Sequence, residues 1–416
     1  MNLHFLRENP DEVKRILGLR RCEADVDRML ELDAKRRELA KNRDELRHRQ
    51  KQVSQEVAVA KRAGKDAADL FRDAKELSGK VKDADAQLSA VESELADLAK
   101  VLPNRVHERV DAEEEVVREW GERPGFGFKP LAHWDLGEAL DILDFKASAQ
   151  LAGSRFAVFK GAGALLRRAL LSYFLDLHTT KHGYVEVGVP VLASRESVEG
   201  AGQLPHMEGE MYAMRDDPLY LIPTSETPLA NLHRKEALDE VDLPKKYVAC
   251  TPCFRREAGS YGKDVRGMVR VHQFDKVELF RYVRPETSYD ALEEMLGEVE
   301  TVAQGLGLPY RVKRLAAWDI AYQSAKTYDI DVWSAGVDRW LEVSSVSNCE
   351  DYQMRRIGTR LRLADGKTGF PHALNGSGLA LQRTFIAVIE NNQQDDGSVV
   401  VPEVLRPYMG GLERIT

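Results

Sequence analysis

No proline interrupts residues 27–102, glycine occurs there only at Gly64 and Gly79, and Lys, Arg, Glu, Asp, Ala and Leu dominate. A stretch this long without a helix breaker commits the chain to long helix. Leu32, Leu39, Leu46, Val53 and Ala60 recur every seven residues. A second run carries Leu70, Leu77, Ala84, Val91 and Leu98, interleaved with Ala74, Val81, Leu88, Leu95 and Leu102. Such a 3,4 repeat places one apolar seam against a partner helix. The break at Ala63-Gly64-Lys65-Asp66 has only the length of a turn, so the two helices fold back as an antiparallel pair. At about 1.5 Å per residue, thirty-odd residues per helix make an arm roughly 50 Å long.

Charge is divided unevenly along this arm. Residues 27–62 hold eleven Lys or Arg against seven Asp or Glu, and residues 66–100 hold five against nine. Two readings follow: ion pairs between a basic and an acidic helix, or a basic face in which Arg36, Arg43, Arg47, Arg49 and Lys51 point toward a phosphate backbone. Arg36, Arg43 and Gln50 have the spacing of the seam, where a purely structural coil prefers aliphatics. Ahead of the arm, Asn9-Pro10-Asp11-Glu12 has the pattern of a helix start, with a capping side chain, a proline in the first turn and acids near the positive dipole end. Pro103 closes the arm, so the expected division is a first domain over 1–105, its arm about 27–102, and a second over 106–416.

The second domain has mixed α/β texture. Residues 161–181 read as one amphipathic helix, followed by the extended segment VEVGVPVL ending near Pro190. Further β segments are expected at 219–223, 246–256, 268–283 and 340–347. Strands mostly in succession with flanking helices favour an α+β fold with an antiparallel sheet. The formal net charge of −8 argues against a protein that coats nucleic acid with its whole surface. Cys22, Cys250, Cys253 and Cys349 are too few for a disulfide framework. The first residues lack a signal-peptide core, and no run of about 18 apolar residues offers a membrane span. A cytoplasmic location with no membrane partner is the expectation.

Residues 249–280, ACTPCFRREAGSYGKDVRGMVRVHQFDKVELF, carry the most chemistry. They read as a hairpin whose long connection is crowded with charge, and loops of this kind are commonly functional. A two-residue period puts Arg270, His272, Phe274, Lys276 and Glu278 on one face of the returning strand, and Arg255 and Glu257 share a face on the outgoing one. Arginine suits phosphate oxygens, an aromatic ring a nucleobase, and a carboxylate an ammonium. The inventory describes a nucleotide plus an amino acid. No G-x-x-x-x-G-K-[ST] or G-x-G-x-x-G loop occurs in a strand-to-helix setting, so side chains must hold the phosphates. In LNGSGLALQRTFIAVIENNQ, 374–393, a glycine-rich turn is expected to lead into a helix with Arg383 in its first turns.

These segments together resemble a known family. GYVEVGVPVL with its preceding helix resembles motif 1 of the class II aminoacyl-tRNA synthetases, FRREAG through FDKVELF resembles motif 2, and NGSGLALQRT resembles motif 3. GQLP at 202–205, TSET at 224–227, EVSSVSNCEDYQ at 342–353, VPEVLRPYMGG at 401–411 and the N-terminal arm resemble the bacterial-type seryl-tRNA synthetases, over essentially the whole length. The resemblance implies a class II antiparallel sheet flanked by helices and an N-terminal antiparallel two-helix coiled-coil arm. It implies activation of L-serine by ATP to seryl-adenylate, then transfer to the 3′-terminal adenosine of tRNA(Ser), with tRNA(Sec) a further family substrate. It also implies a homodimer formed through motif 1.

The same resemblance assigns roles. Arg255 binds the α-phosphate and Arg383 the γ-phosphate, the two catalytic arginines. Phe274 stacks on adenine, Glu257 orients the adenine or the tRNA 3′ end, and Arg256, Arg270, Val343 and Ser344 complete the ATP site. Glu342 and Ser345 hold Mg²⁺ across the phosphates, a hard cation on oxygen ligands. A spacing of three puts those two on opposite faces of a regular strand, so a strand end or bulge is expected there. Thr224, Ser225, Glu226, Glu278 and Ser377 form the serine pocket.

The chain departs from the usual family pattern in Arg256, where serine is common, in TSET, and in Leu381-Gln382 before Arg383. Cys250-x-x-Cys253 lacks a second pair and falls on a predicted strand, so no zinc is expected. His272 reads as a hydrogen-bonded strand residue, since a carboxylate nucleophile is already ionised at neutral pH. Two rivals remain on sequence: a paralogue that loads an amino acid onto a carrier protein, against which the arm at 27–102 argues, and a non-catalytic RNA-binding relative, against which the intact Arg255, Glu278, Glu342 and Arg383 argue.

Overall fold

The computed structural model describes residues 1–64, 66–258 and 266–416. Lys65 of the expected turn and residues 259–265 of the charged hairpin connection lie outside the described residues. The chain divides into two compact units, Met1–Pro103 and Asn104–Thr416.

The first unit is all helix: α1 (Leu3–Glu8), α2 (Pro10–Leu19), α3 (Val26–Arg62) and α4 (Ala68–Ala99). Proline opens α2 as expected, but the Asn9 side chain makes no cap; its Nδ2 donates back to Phe5 O, because α1 ends directly before it. At about 1.5 Å per residue the 37 residues of α3 span roughly 55 Å. Leu77, Ala84, Leu88, Val91 and Leu95 are buried along α4, the predicted seam. Arg28 pairs with Glu94 at 2.6 Å and Arg47 with Asp85 at 2.9 Å, which fixes α3 and α4 as antiparallel. Arg36 and Arg43 are half-buried in the seam, bonded to Asp33 and Asp44. Three of the five basic residues expected to face phosphate are therefore engaged within the arm, while Arg49 and Lys51 are exposed.

The second unit is built on an eight-stranded sheet. In chain order its strands are β1 (Glu115–Trp120), β2 (Val185–Glu186), β3 (Lys245–Phe254), β4 (Gln273–Val283), β5 (Tyr310–Arg314), β6 (Lys326–Ser334), β7 (Arg339–Asn348) and β8 (His372–Ala380). They lie side by side as β1-β5-β6-β7-β8-β4-β3-β2, antiparallel throughout except for β2 against β3. Helices α5 (Gly161–Thr180), α6 (Ser288–Gly305) and α8 (Leu381–Asn391) pack Leu166, Leu170, Phe174, Met295, Val299, Phe385 and Ile386 into one core with Val277 and Leu279 of β4. Alternation along β4 then leaves Lys276 and Glu278 on the opposite face. A short α7 (Tyr352–Ile357) follows β7.

Three local expectations change. The segment after α5 forms only β2 and the separate strand Leu192–Ser194, with Gly183 at φ 72° turning the chain out of the helix. β3 ends at Phe254 and β4 begins at Gln273, so Arg255, Glu257, Arg270 and His272 lie beyond the regular ladder. The glycine-rich stretch at 375–378 is the middle of β8, not a turn. Its glycines serve close packing: a Cβ at Gly378 would come within 2.6 Å of His178 Nε2 on α5, and one at Gly376 within 3.1 Å of Met295 Sδ on α6.

Candidate functional site

The polar face of the sheet floors a cleft of about 360 Å³ in the second unit. β4, β7 and β8, the start of α8 and the segments at 224–226, 255–257 and 268–271 bring together most of the residues singled out in the sequence.

At one end the acids are buried. β8 sets Ser377 opposite Glu278 of β4. Lys276 forms a short ion pair with Glu278 and donates to Thr224 Oγ1 at 2.7 Å, and the Thr224 hydroxyl donates to Glu278 Oε2 at 2.9 Å. Glu226 Oε1 receives Gln353 Nε2 at 2.6 Å and Gln323 Nε2 and Asn375 Nδ2 at 3.2 Å each. Burial, with Glu278 adding to it, pushes the Glu226 carboxyl up to about 7 against the opposing pull of Lys276 and the glutamine amides. Ser225 departs from the expectation: its buried hydroxyl bonds Thr251 Oγ1 at 2.6 Å and its side chain does not line the cleft.

The other end is more open. Although β3 has ended, Arg255 N still donates to His272 O at 2.9 Å, and His272 Nδ1 meets Arg255 O at 3.0 Å, so the imidazole holds the hairpin together. The Arg255 guanidinium sits 5.3 Å from the Phe274 ring centroid and donates to Pro223 O. Glu257 adopts φ 50°, a left-handed conformation that is costly for a residue with a side chain. Arg270 Nη1 donates to its carboxylate at 3.3 Å. Arg383 donates to Val269 O at 3.1 Å and Glu342 O at 2.7 Å. Arg256 is exposed and holds only a backbone contact to Glu210 O in the described network.

The spacing of Glu342 and Ser345 has the expected resolution. Ser344 pairs with Ile330 and Glu342 with Asp331, so Val343 is an extra residue in β7, and the bulge turns Glu342 and Ser345 to the same face. Asp329, opposite Ser345 on β6, bonds its side chain, and its Oδ1 is buried without a partner among the described residues. Burial and the neighbouring Glu342 hold the Asp329 carboxyl well above the usual carboxylate range. A hard divalent cation that keeps several waters and takes one or two protein oxygens plus phosphate fits these oxygen donors. No group of three His, Cys, Asp or Glu able to hold a metal occurs among the described residues, so the site offers fewer protein ligands than a closed structural centre. Cys250 and Cys253 are three pairing positions apart on β3 and so on opposite faces, and burial pushes the Cys250 thiol up to about 12.

Gln203, Gln323, Gln353 and Asn375, none of them among the expected site residues, are buried at or behind the cleft. Neutral amides leave no charge pattern; the available signal was that Gln203, Gln353 and Asn375 lie in the segments GQLP, EVSSVSNCEDYQ and NGSGLALQRT, while Gln323 lies in none. The departure at Leu381-Gln382 is absorbed: Leu381 is core, and Gln382 Oε1 accepts from Asp275 N while Arg167 holds the Asp275 carboxylate at 2.7 Å. No helix among the described residues is long and apolar enough to cross a membrane.

Residues 1–106 match the seryl-tRNA synthetase N-terminal domain, and residues 211–392 match the class II tRNA synthetase core domain shared by the G, H, P, S and T enzymes. Serine–tRNA ligases of Syntrophobacter fumaroxidans and Nitratidesulfovibrio vulgaris Hildenborough are 46% and 49% identical, each over 100% of this chain and 100% of their own. The crystal structure of seryl-tRNA synthetase from Pyrococcus horikoshii complexed with ATP superposes with a TM-score of 0.92 at 34% identity, covering 100% of this chain and 99% of that one. Arm and catalytic core are thus matched together and over their full lengths, and the chain belongs to the seryl-tRNA synthetase family of class II aminoacyl-tRNA synthetases.

Proposed function

We propose that this chain activates L-serine with ATP to seryl-adenylate and then transfers serine to the 3′-terminal adenosine of tRNA(Ser). The observation that carries the reading is one cleft with Glu226, Glu278, Thr224 and Ser377 at a buried end and Arg255, Phe274 and Arg383 at an open end.

Serine enters with its ammonium and hydroxyl toward the buried acids, so its carboxylate is left facing the open end. That carboxylate attacks the α-phosphorus; a P–O bond forms, the bond to the bridging oxygen breaks, and pyrophosphate leaves. Arg255 stabilises charge developing on the α-phosphoryl oxygens, and Arg383 holds the γ-phosphate. Phe274 stacks on adenine, and Glu257 and Arg270, linked to each other, border it with Arg256, Val343 and Ser344. Glu342 and Ser345 would hold Mg²⁺, which would supply neutralisation of phosphate charge. In the second half-reaction a ribose hydroxyl attacks the serine carbonyl and AMP departs. Catalysis is mostly positioning and charge stabilisation.

The arm, through exposed Arg49 and Lys51, contributes to tRNA binding; tRNA(Sec) as a second acceptor, a homodimer and a cytoplasmic location belong to the same reading. The test is serine-dependent ATP–pyrophosphate exchange together with tRNA charging, for the full chain and for a variant with 27–102 replaced by a short linker. Exchange persists in both and efficient charging is lost in the second. Exchange with another amino acid, or none, overturns the activity, and undiminished charging by the armless variant overturns the role of the arm.

A further inference from the structure

Glu226 is held differently from Glu278, although both acids border the same buried end. Glu278 is already neutralised by Lys276 and capped by Thr224. Glu226 is 6% exposed and takes its partners from three separate elements: Gln323 from the segment before β6, Gln353 from α7 and Asn375 from β8, all on Oε1. Each of the three amides is itself buried. Gln353 is anchored further by donating to Ala201 O at 2.9 Å. Oε2 makes no hydrogen bond among the described residues, and Glu226 lines the cleft.

The chemistry of these partners is selective. A buried carboxylate needs donors to remain charged. An arginine or lysine partner would supply them but would also cancel the charge that a ligand ammonium seeks. Neutral amides stabilise the carboxylate and leave its net charge intact for the ligand. We propose that Gln323, Gln353 and Asn375 form an amide cradle that holds Glu226 in place and favours its ionised form against burial, and so act as positioning residues for recognition of the amino-acid ammonium. This rests on the assignment of Glu226 to the serine pocket. The charged groups acting on Glu226 are Glu278, which raises its proton affinity, and Lys276, which lowers it, both from β4; the groups from the other elements are the neutral amides.

The test uses the full-length enzyme and pyrophosphate exchange with serine and ATP varied separately across pH 6 to 8. Gln353→Met keeps the volume and removes the donor. It raises the serine KM about tenfold or more near pH 7, leaves the ATP KM unchanged, and moves the rise of serine kcat/KM with pH upward by about one unit, since one pKa unit is a factor of ten. Gln323→Met shows the same changes to a smaller degree, and decides the matter if Gln353→Met does not fold. Glu226→Gln separates the two claims. If it behaves as wild type toward serine, the pocket assignment fails. If it is impaired while both glutamine variants keep the wild-type serine KM and pH profile, the cradle fails alone. Serine and ATP KM rising together in the glutamine variants also overturns the cradle, because that is the signature of general structural loss.

Discussion

The two ends of the cleft are built on opposite principles. At the serine end the acids are nearly dry and each has fixed partners, Glu278 on Lys276 and Thr224 and Glu226 on three amides. At the nucleotide end Arg255 and Arg383 are half-exposed and bond mainly to backbone carbonyls, Pro223 O, Val269 O and Glu342 O. The difference follows from the ligands. Serine is small, so discrimination must come from a few buried groups whose geometry is set before it arrives. A triphosphate brings several charges of its own, and arginines held mainly by neutral carbonyls, with one 3.6 Å pairing of Arg383 to Glu342, keep most of their charge for it.

Competing amino acids probe the buried end most strongly. Alanine lacks only the hydroxyl, yet it offers no donor to the acceptor capacity that Glu278 keeps beyond its bonds to Lys276 and Thr224. We expect exchange with alanine to be lower than with serine by roughly 10⁴ to 10⁵ in kcat/KM. A ratio near ten would mean that shape alone discriminates and that the buried network is structural.

Removing a preorganised donor at the open end is the next largest effect. Arg255→Ala lowers serine-dependent exchange by about two to three orders of magnitude, while the melting profile stays close to wild type because the side chain is half-exposed and its one side-chain hydrogen bond among the described residues is long. Exchange close to wild type would remove Arg255 from the phosphate path.

The smallest effect is a pH dependence confined to one end. With the Glu226 carboxyl at about 7 in the unliganded cleft, it must lose its proton before it can hold an ammonium. Serine kcat/KM therefore rises from pH 6 toward pH 7.5, by at most about tenfold per unit. Over the same window ATP dependence stays flat. Serine kcat/KM that falls or stays level across this range contradicts the assignment.

Much of this division was legible in the sequence because charge and periodicity leave a pattern. The seam at Leu77, Ala84, Leu88, Val91 and Leu95 follows from the heptad, and the spacing of Glu342 and Ser345 demanded the bulge that Val343 supplies. Packing leaves no such mark. The glycines of β8 read as a turn because their reason, the close approach of His178 and Met295, comes from helices far away in sequence. Arg36 and Arg43 read as candidates for phosphate, but half-burial beside Asp33 and Asp44 engages them within the arm. Ser225 sits between two pocket residues and turns to Thr251, since the backbone there enters a short helix rather than continuing a strand. The amide cradle was invisible because Gln323, Gln353 and Asn375 converge only through the fold.

The division of the cleft is tested most directly by measuring the serine KM and the ATP KM side by side in Glu278→Gln and Arg383→Ala. Glu278→Gln weakens a charged acceptor worth about 1.5 to 3 kcal/mol, so the serine KM rises roughly 10- to 150-fold while the ATP KM stays within about twofold. Arg383→Ala gives the reverse, with the larger rise in the ATP KM. If Glu278→Gln changes only the ATP KM, or if both constants move together in both variants, the cleft does not separate amino acid from nucleotide in this way.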